Sequence, residues 1–431
     1  MNRSIWTAAQ LSIFPPLEGD ARTDVLIIGG GLAGLLTAHA MAQAGIDYLL
    51  IEADAICGGV TMNTTAKVTS QHSLIYGRLL DEFGAETARL YWQANEDALS
   101  QYRTLCQSIS CDFEEKDSYV YSLDRPERIE REMQALRLLG IPAEYTDSLP
   151  LPFSVAGAVR FSNQAQIHPL KFASGIAQSL NIREHTAALA FQGRTVITNR
   201  GKFKASHIIV TTHFPLINKH GAYFLKLYQE RAYILALENA AAPEAMYLDE
   251  APRGLSLRSA DGFLLLGGGA HRTGKPGDGW ASLSAFANAH YPNARETHRW
   301  ATQDCMTLDG IPYIGTYGAR TSGLYVATGF NKWGMTSSMI AASILRDMIC
   351  RKENHYASVF SPARTMLRRQ LLTNAFESAA NLLTFTTPRC PHMGCALKWN
   401  AQEHSWDCPC HGSRFSQSGK LLNTPATGDL S

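Results

Sequence analysis

DVLIIGGGLAGLLTAHAMAQAGIDYLLIE, running from Asp24 to Glu52, decides the fold of this chain. Asp24 to Ile28 is a short apolar run met at once by glycines, the pattern of a parallel strand buried on both faces. Gly29, Gly31 and Gly34 give the G-x-G-x-x-G spacing. Gly29 permits a tight turn, Gly31 lets a pyrophosphate approach the backbone, and Gly34 lets the next helix pack close to the strand. That helix, LLTAHAMAQA, offers the partial positive charge of its N-terminus to a phosphate, and Gly45 closes it. DYLLIE is a second strand. It ends in Glu52, placed to accept from ribose hydroxyls. The glycine spacing alone also fits an ordinary strand-to-helix turn. Strand, glycines, helix, second strand and terminal acid in this order predict dinucleotide binding. Glu52 favours a free ribose hydroxyl, hence FAD or NAD rather than NADP.

A second visit to the cofactor is legible much later. LDGIPYIG (Leu308 to Gly315) precedes GLYVATGFNKWGMTSSMIAASILRDMI (Gly323 to Ile349). This reads as a strand, a glycine turn at Gly329, a second glycine at Gly334, and a long apolar helix. A helix that follows such a turn can offer backbone donors to a flavin carbonyl. FLLLGGGAHRTGKPGDGW (Phe263 to Trp280) is also glycine-rich, but Pro276, Gly277 and Gly279 follow it rather than an apolar helix. It is expected to be a strand and turn. With a single dinucleotide fingerprint, nothing marks a separate NAD(P)H domain, so electrons should enter from an organic substrate.

The 431 residues suffice for two or three domains with their own cores. Hydrophobic residues are 45% and charged residues 18%, a globular composition. Basic and acidic residues number 39 and 38, so no basic excess argues for nucleic acid or an anionic membrane as partner. No apolar run is long enough to span a bilayer. The opening MNRSIWTAAQLSIFPP lacks a signal-peptide pattern, so the expected compartment is the cytoplasm.

CPHMGCALKWNAQEHSWDCPCHGS, Cys390 to Ser413, crowds four cysteines and three histidines together. A zinc site would draw on Cys390, Cys395, Cys408 and either Cys410 or His411, with awkward spacing at Cys408 and Cys410. Cys390-x-His392, fifteen residues, then Cys408-x-x-His411 is instead the pattern of a Rieske [2Fe–2S] centre, in which cysteines hold one iron and histidines the other. Pro391, Gly394, Pro409 and Gly412 shape the two loops. His404 reads as a surface residue. Cys57, Cys106, Cys111, Cys305 and Cys350 are scattered and read as small buried hydrophobes.

The front and late segments together resemble the FAD-dependent oxidoreductases related to D-amino-acid dehydrogenases, glycine oxidase and sarcosine oxidase, over roughly residues 20–352. The resemblance implies a Rossmann-like α/β FAD-binding domain (about 20–72, 151–215 and 301–352). It implies an inserted α+β substrate domain (about 73–150 and 216–300). A linker (353–385) and a small all-β Rieske domain (386–431) complete the expected division. By resemblance Gly29, Gly31, Gly34, Glu52, Thr65, Lys67, Gly329, Lys332, Gly334, Met335 and Thr336 contact FAD. Lys67 and Lys332 could stabilise a reduced, negatively charged ring; for each the plain alternative is a solvated lysine. CPHMGC and CPCHGS resemble the cytochrome bc-type Rieske proteins. That likeness implies cluster ligation by Cys390, His392, Cys408 and His411, a disulfide between Cys395 and Cys410, and a hydrogen bond from Ser413 to cluster sulfur. Where that group has a tyrosine, this chain has Phe415, and a lower potential is expected. Only eighteen residues follow Ser413, so either the flavoprotein body supplies the missing cover or the chain is clipped.

These parts imply an enzyme that takes a hydride from an amine or amino acid and passes electrons singly to an external acceptor. The rival is an electron-transfer component serving a partner oxygenase or reductase. Arg231, Tyr233, His271, Arg272 and Tyr313 sit beside expected strand ends and are candidate substrate residues, an arginine there serving as a two-point carboxylate clamp. With Lys332, the residues Arg231, Arg272 and Tyr313 form the expected catalytic set.

Overall fold

The computed structural model of the chain describes residues 3–217, 220–384 and 388–430. Three sheets organise them. The first is Rossmann-like. Its central strand, Ala21–Ile28, lies parallel to Tyr48–Ile51 on one side and to Lys202–Val210 on the other. Lys202–Val210 then lies parallel to Leu324–Thr328, so the early and late cofactor segments share one sheet. Val25, Leu26 and Ile27 are fully buried, as strands covered on both faces require. The helices Leu32–Gln43 and Gly334–Ile349 pack against each other over this sheet. Leu32–Gln43 is buried on nearly every side, which explains why its sequence carries no polar stripe.

The second sheet has nine strands. Arg295–Thr307, Leu227–Glu238, Phe263–Arg272, Ser256–Ala260, Met246–Asp249, Glu114–Ser122, Gly157–Gln166 and Lys67–Val68 follow in that order, and Glu144–Thr146 pairs with Gly157–Gln166. The helices Tyr76–Cys106 and Pro126–Leu139 account for the helical character of residues 73–150. Gly157–Gln166 falls in the expected cofactor segment but runs in this second sheet. Arg295–Thr307 crosses the expected division at residue 300 without a break. A helix, Trp280–His290, does follow the glycine-rich turn after Phe263–Arg272. Trp280, Leu283 and Ala287 face the sheet, and these few apolar anchors are too sparse to announce a helix in sequence. Among the described residues, the strand before it has only antiparallel neighbours and forms no second dinucleotide unit.

The third sheet is small and antiparallel: Lys398–Asn400, Ser405–Asp407, Arg414–Ser416 and Leu421–Asn423. Its core contains Cys390, Cys395, Leu397, Cys408, Cys410, Phe415 and Ala426. The helix Arg369–Leu383 leads into it. Among the described residues, no helix is long and apolar enough to cross a membrane.

Candidate active site and cluster site

The glycine turn is built as its spacing requires. A Cβ on Gly34 would lie 1.9 Å from the carbonyl oxygen of Gly29, so only glycine lets the helix close on the strand. Gly29 itself has φ +111°, a region costly for other residues. A Cβ on Gly31 would meet nothing closer than Thr61 Oγ1 at 3.5 Å, which leaves the backbone face open to a phosphate. Glu52 closes the cradle. Its Oε2 accepts from the Gly30 N–H at 2.6 Å and its Oε1 from the Asp54 N–H at 3.0 Å. Burial raises its pKa, partly opposed by these backbone donors. The open glycine backbone and the acid at the second strand's end fit a dinucleotide with a free ribose hydroxyl.

A cavity of about 520 Å³ is lined among others by Thr65, Lys67, Asp304, Lys332, Trp333 and Met335. The turn before Gly334–Ile349 aims that helix's first turn at the cavity. A Cβ on Gly329 (φ +71°) would lie 2.3 Å from Thr307 Cγ2. Asn331 and Lys332 both hold left-handed backbone, at φ 51° and 72°. The Asn331 amide fixes the turn: its Oδ1 accepts from the Thr307 N–H at 2.8 Å, and its Nδ2 donates to the Gly329 carbonyl at 2.6 Å. The free N–H groups of the helix start are thereby presented to the cavity. Thr336 turns its hydroxyl to His72 Nε2 at 3.2 Å, and His72 stacks on Trp333 at 4.5 Å.

Two lysines differ sharply in state. Lys67 is buried and donates to the Tyr247 carbonyl and to Ser256 Oγ, both at 2.8 Å. Burial, then the neighbouring Arg258, pulls its pKa down to about 7. Lys332 pairs with Glu230 at 2.8 Å. Glu230 stands directly opposite Asp304 across two antiparallel strands. Burial pushes Asp304 up to about 6, against the pull of Lys332.

The strand Leu227–Glu238 has two working faces. Tyr228 and Ala232 line the cavity, and Glu230 reaches Lys332 on the same side. Gln229 and Arg231 point the opposite way, onto the small third sheet and its loops. The neighbouring strand behaves alike: Thr302, Asp304 and Met306 line the cavity, while Gln303 reaches the loop at Gly412.

This geometry corrects the expected substrate residues. Arg231 is engaged by Glu403 in two-point fashion, with Nε to Oε1 at 3.0 Å and a second, shorter bond from Nη2 to Oε2. Tyr233 does line the cavity, but its hydroxyl donates to Glu403, at 3.3 Å, and His271 stacks on its ring. Arg272 donates to the Pro409 carbonyl at 3.1 Å and to Asn374 Oδ1 at 2.9 Å. Tyr313 is buried, with the Arg364 guanidinium 4.6 Å from its ring centre. Arg231, Arg272 and Tyr313 therefore do not face the cavity; the strand alternation and the packing of the C-terminal module turn the two arginines away. Lys332, of the same expected set, does line it.

The two loops around Cys390 and Cys408 face each other. Each is closed by backbone bonds, Gly394 N–H to Cys390 O at 2.8 Å and Gly412 N–H to Cys408 O at 2.9 Å. The His392 and His411 rings lie 5.0 Å apart, edge to face. His411 Nε2 lies 3.1 Å from the Phe224 carbonyl, which can only accept. Nε2 therefore carries the proton. Nδ1, buried without a hydrogen-bond partner among the described residues, keeps a bare lone pair. Burial holds His392 down to about 3 and His411 to about 4, both neutral as a ligand must be. Ser413 hydrogen-bonds the Cys390 sulfur. Two thiols and two neutral imidazoles suit a [2Fe–2S] cluster of Rieske type. The disulfide is a correction. All nine cysteines are free thiols, and the sulfurs of Cys395, Cys408 and Cys410 gather within 4.8 Å of one another as a hydrogen-bonded trio instead of closing Cys395 onto Cys410.

Comparison with known proteins agrees with both sites. The FAD dependent oxidoreductase family description matches residues 24–348, and the Rieske [2Fe-2S] domain description matches residues 370–431. The chain belongs to the FAD dependent oxidoreductase family. It carries a Rieske domain, and its cofactors are FAD and a [2Fe–2S] cluster. YhfW of Bacillus subtilis (strain 168), named as a Rieske 2Fe-2S iron-sulfur protein, is 33% identical over 98% of this chain and 96% of its own length. Gamma-glutamylputrescine oxidoreductase of Escherichia coli (strain K12) is 23% identical over 80% of this chain and 87% of its own. The crystal structure of glycine oxidase from Geobacillus kaustophilus superposes with a TM-score of 0.68 at 19% identity, covering 80% of this chain and 99% of that one.

Several residues of this oxidoreductase escaped sequence reasoning: Arg78, Asp304 and Glu230 at the cavity, Gln229 and Gln303 behind it. A signal existed. QERAY (Gln229 to Tyr233) puts polar groups at consecutive positions inside an otherwise apolar strand, so both faces had to meet polar partners.

Proposed function

We propose that this enzyme oxidises an amine or amino acid at a C–N bond and passes the electrons singly, through its Rieske domain, to an external acceptor. The observation that carries the reading is the two-faced wall. The strands Leu227–Glu238 and Arg295–Thr307 bound the cavity on one side and hold the second cluster loop on the other. When bound, FAD supplies a hydride acceptor and the cluster a one-electron carrier.

The chain's own residues do the rest. Gly29, Gly31, Gly34 and Glu52 would hold the dinucleotide, and the first turn of Gly334–Ile349, with Met335, would face its ring. Lys332 would add a cation there. Lys67, close to neutral at physiological pH, would accept a proton from the substrate ammonium, because a free lone pair is what a base needs. The Asp304–Glu230 pair exceeds the charge of Lys332 and would favour a cationic nitrogen beside it. Arg78 lines the same cavity and donates to the Asp309 carbonyl at 2.5 Å; its remaining N–H groups would hold a substrate carboxylate. Cys390, His392, Cys408 and His411 would ligate the cluster.

Anaerobic titration with a panel of amines and amino acids tests the reading. Flavin bleaching followed by a Rieske electron paramagnetic resonance signal is the expected result. If no amine bleaches the flavin while dithionite still raises the Rieske signal, the dehydrogenase reading falls and service to a partner oxygenase or reductase replaces it.

A further inference from the structure

The contact between the cavity wall and the second cluster loop is unusually specific for a domain interface. The Gln229 Nε2 donates to the His411 carbonyl at 2.6 Å. The Gln303 Nε2 donates to the Gly412 carbonyl at 2.8 Å and to Gln229 Oε1 at 2.7 Å. The Thr273 hydroxyl donates to Gln303 Oε1 at 3.2 Å. Both glutamines are almost fully buried, 1% and 2% exposed. The amides are thus chained, each with a defined donor and acceptor, and the chain ends on two successive carbonyls of the loop that bears His411. If the loop left, several buried polar groups would lose their partners together.

The fit is close. Gly412 has φ +82°, and a Cβ there would lie 2.7 Å from Gln229 Cβ. The loop therefore rests directly on the glutamine. Around this contact stand the Arg231–Glu403 pair and the Arg272 bond to the Pro409 carbonyl. The chain neighbours of these glutamines, Tyr228, Thr302 and Asp304, line the cavity. The cluster loop is thus one strand away from the groups that face substrate.

We infer that Gln229 and Gln303 are positioning residues that hold the His411–Gly412 loop in one docked place against the cavity wall, so that electrons cross the wall directly and the Rieske module does not swing. This rests on the electron path proposed above. Electron transfer between fixed centres depends on their placement, as any reaction between held groups does.

The test introduces electrons without a substrate. The flavin of the whole holoenzyme is photoreduced with light and EDTA. Cluster reduction is then followed in wild type, Gln229→Met and Gln303→Met, with Lys275→Met at the more exposed Lys275–Glu377 contact as control. Flavin photoreduction should be equal in all four. Flavin-to-cluster transfer should fall by about tenfold or more in the two glutamine variants and stay within about twofold in the control. The dithionite-reduced resonance spectrum, which reads cluster geometry whatever the donor, should shift in the glutamine variants alone. Wild-type transfer rates with an unshifted spectrum in both variants overturn the inference. If wild type itself shows no transfer from flavin, the proposed electron path fails, and the spectral shift alone decides whether the glutamines position the loop. Should Gln229→Met not retain its cluster, Gln303→Met, which removes the Gly412 bond, carries the same comparison.

Discussion

Glu403 is the group whose removal should show most directly that the Rieske module is locked to the flavoprotein body. Its carboxylate, 11% exposed, receives Arg231 in two-point fashion and Arg414 at 2.9 Å. Arg414 has a second carboxylate, Asp407 at 2.8 Å, and is therefore not stranded when Glu403 is lost. Among the described residues, Arg231 pairs with no carboxylate but Glu403, and its side chain is 4% exposed. Glu403→Ala leaves that guanidinium buried without a counter-ion, which should cost about 3–5 kcal/mol. Glu403→Gln keeps hydrogen-bonding oxygen but loses the charge, and should cost less. The double variant Arg231→Met, Glu403→Met removes both charges and should lie close to wild type, because a buried pair and an apolar replacement of similar volume are nearly equal. Burial pushes the Glu403 carboxyl up, but Arg231 and Arg414 outweigh it and the net shift is downward. The folded form therefore binds its proton less tightly than the unfolded form, whose carboxyl titrates at about 4.3. The clamp's contribution is complete above that value and is lost as pH falls through the lower folded value. Urea unfolding followed by the visible circular dichroism of the cluster measures each variant, at neutral pH and in mild acid. A Glu403→Ala cost below about 1 kcal/mol, or a double variant as damaged as the sum of its singles, would refute the clamp.

Two further outcomes follow from individual side chains. Phe415 is fully buried in the cluster core, and Phe415→Tyr would add a hydroxyl able to donate to the cluster's ligand shell. The midpoint potential should rise by an amount on the order of tens of millivolts, read by a redox titration of the resonance signal; an unchanged or lower potential counts against the hydrogen-bond argument. Lys67→Met should slow substrate reduction of the flavin by about 10²-fold. It should also abolish the limb of the pH profile that rises through about 7 in wild type, where the buried amine loses its proton; a variant keeping that limb excludes Lys67 as the base.

The parts of this protein written in local spacing were legible, and those set by which face of a strand meets which partner were not. Gly29 and Gly34 declare themselves because each solves a steric problem within a few residues. The C-x-H and C-x-x-H loops do the same for a metal centre. Arg231 and Arg272 were misassigned for the opposite reason. A strand covered on one face shows its interior by alternation, but Leu227–Glu238 is covered on both. Its odd and even positions are each polar in part, and period alone cannot say which set meets substrate. The long-range pairing to Glu403, some 170 residues on, supplies that answer. Cys395 and Cys410 show a further limit: their spacing brings them to facing loops, but whether they bond is not written in it, and here both are free thiols.

The wall also couples its two sides electrostatically, and that coupling can be measured. Asp304 faces the cavity and Arg231 faces the Rieske module, yet the arginine's charge is among the influences that lower the Asp304 pKa, after burial has raised it and Lys332 has opposed that rise. Opposite charges on the two faces of adjacent strands in a poorly solvated sheet interact far more strongly than across water. The Arg231→Met, Glu403→Met variant removes the cation while keeping the module packed. Asp304 should then titrate above its wild-type value of about 6. If an ionised Asp304 holds the substrate's cationic nitrogen, then in the Lys67→Met background, where the lysine limb is gone, the remaining acid limb of flavin reduction should move to higher pH in the double variant. It should disappear in Asp304→Asn. An acid limb that stays at its wild-type pH in the double variant, while vanishing in Asp304→Asn, would show that the two faces of the wall are electrostatically independent. The docking charges would then have no voice in substrate binding.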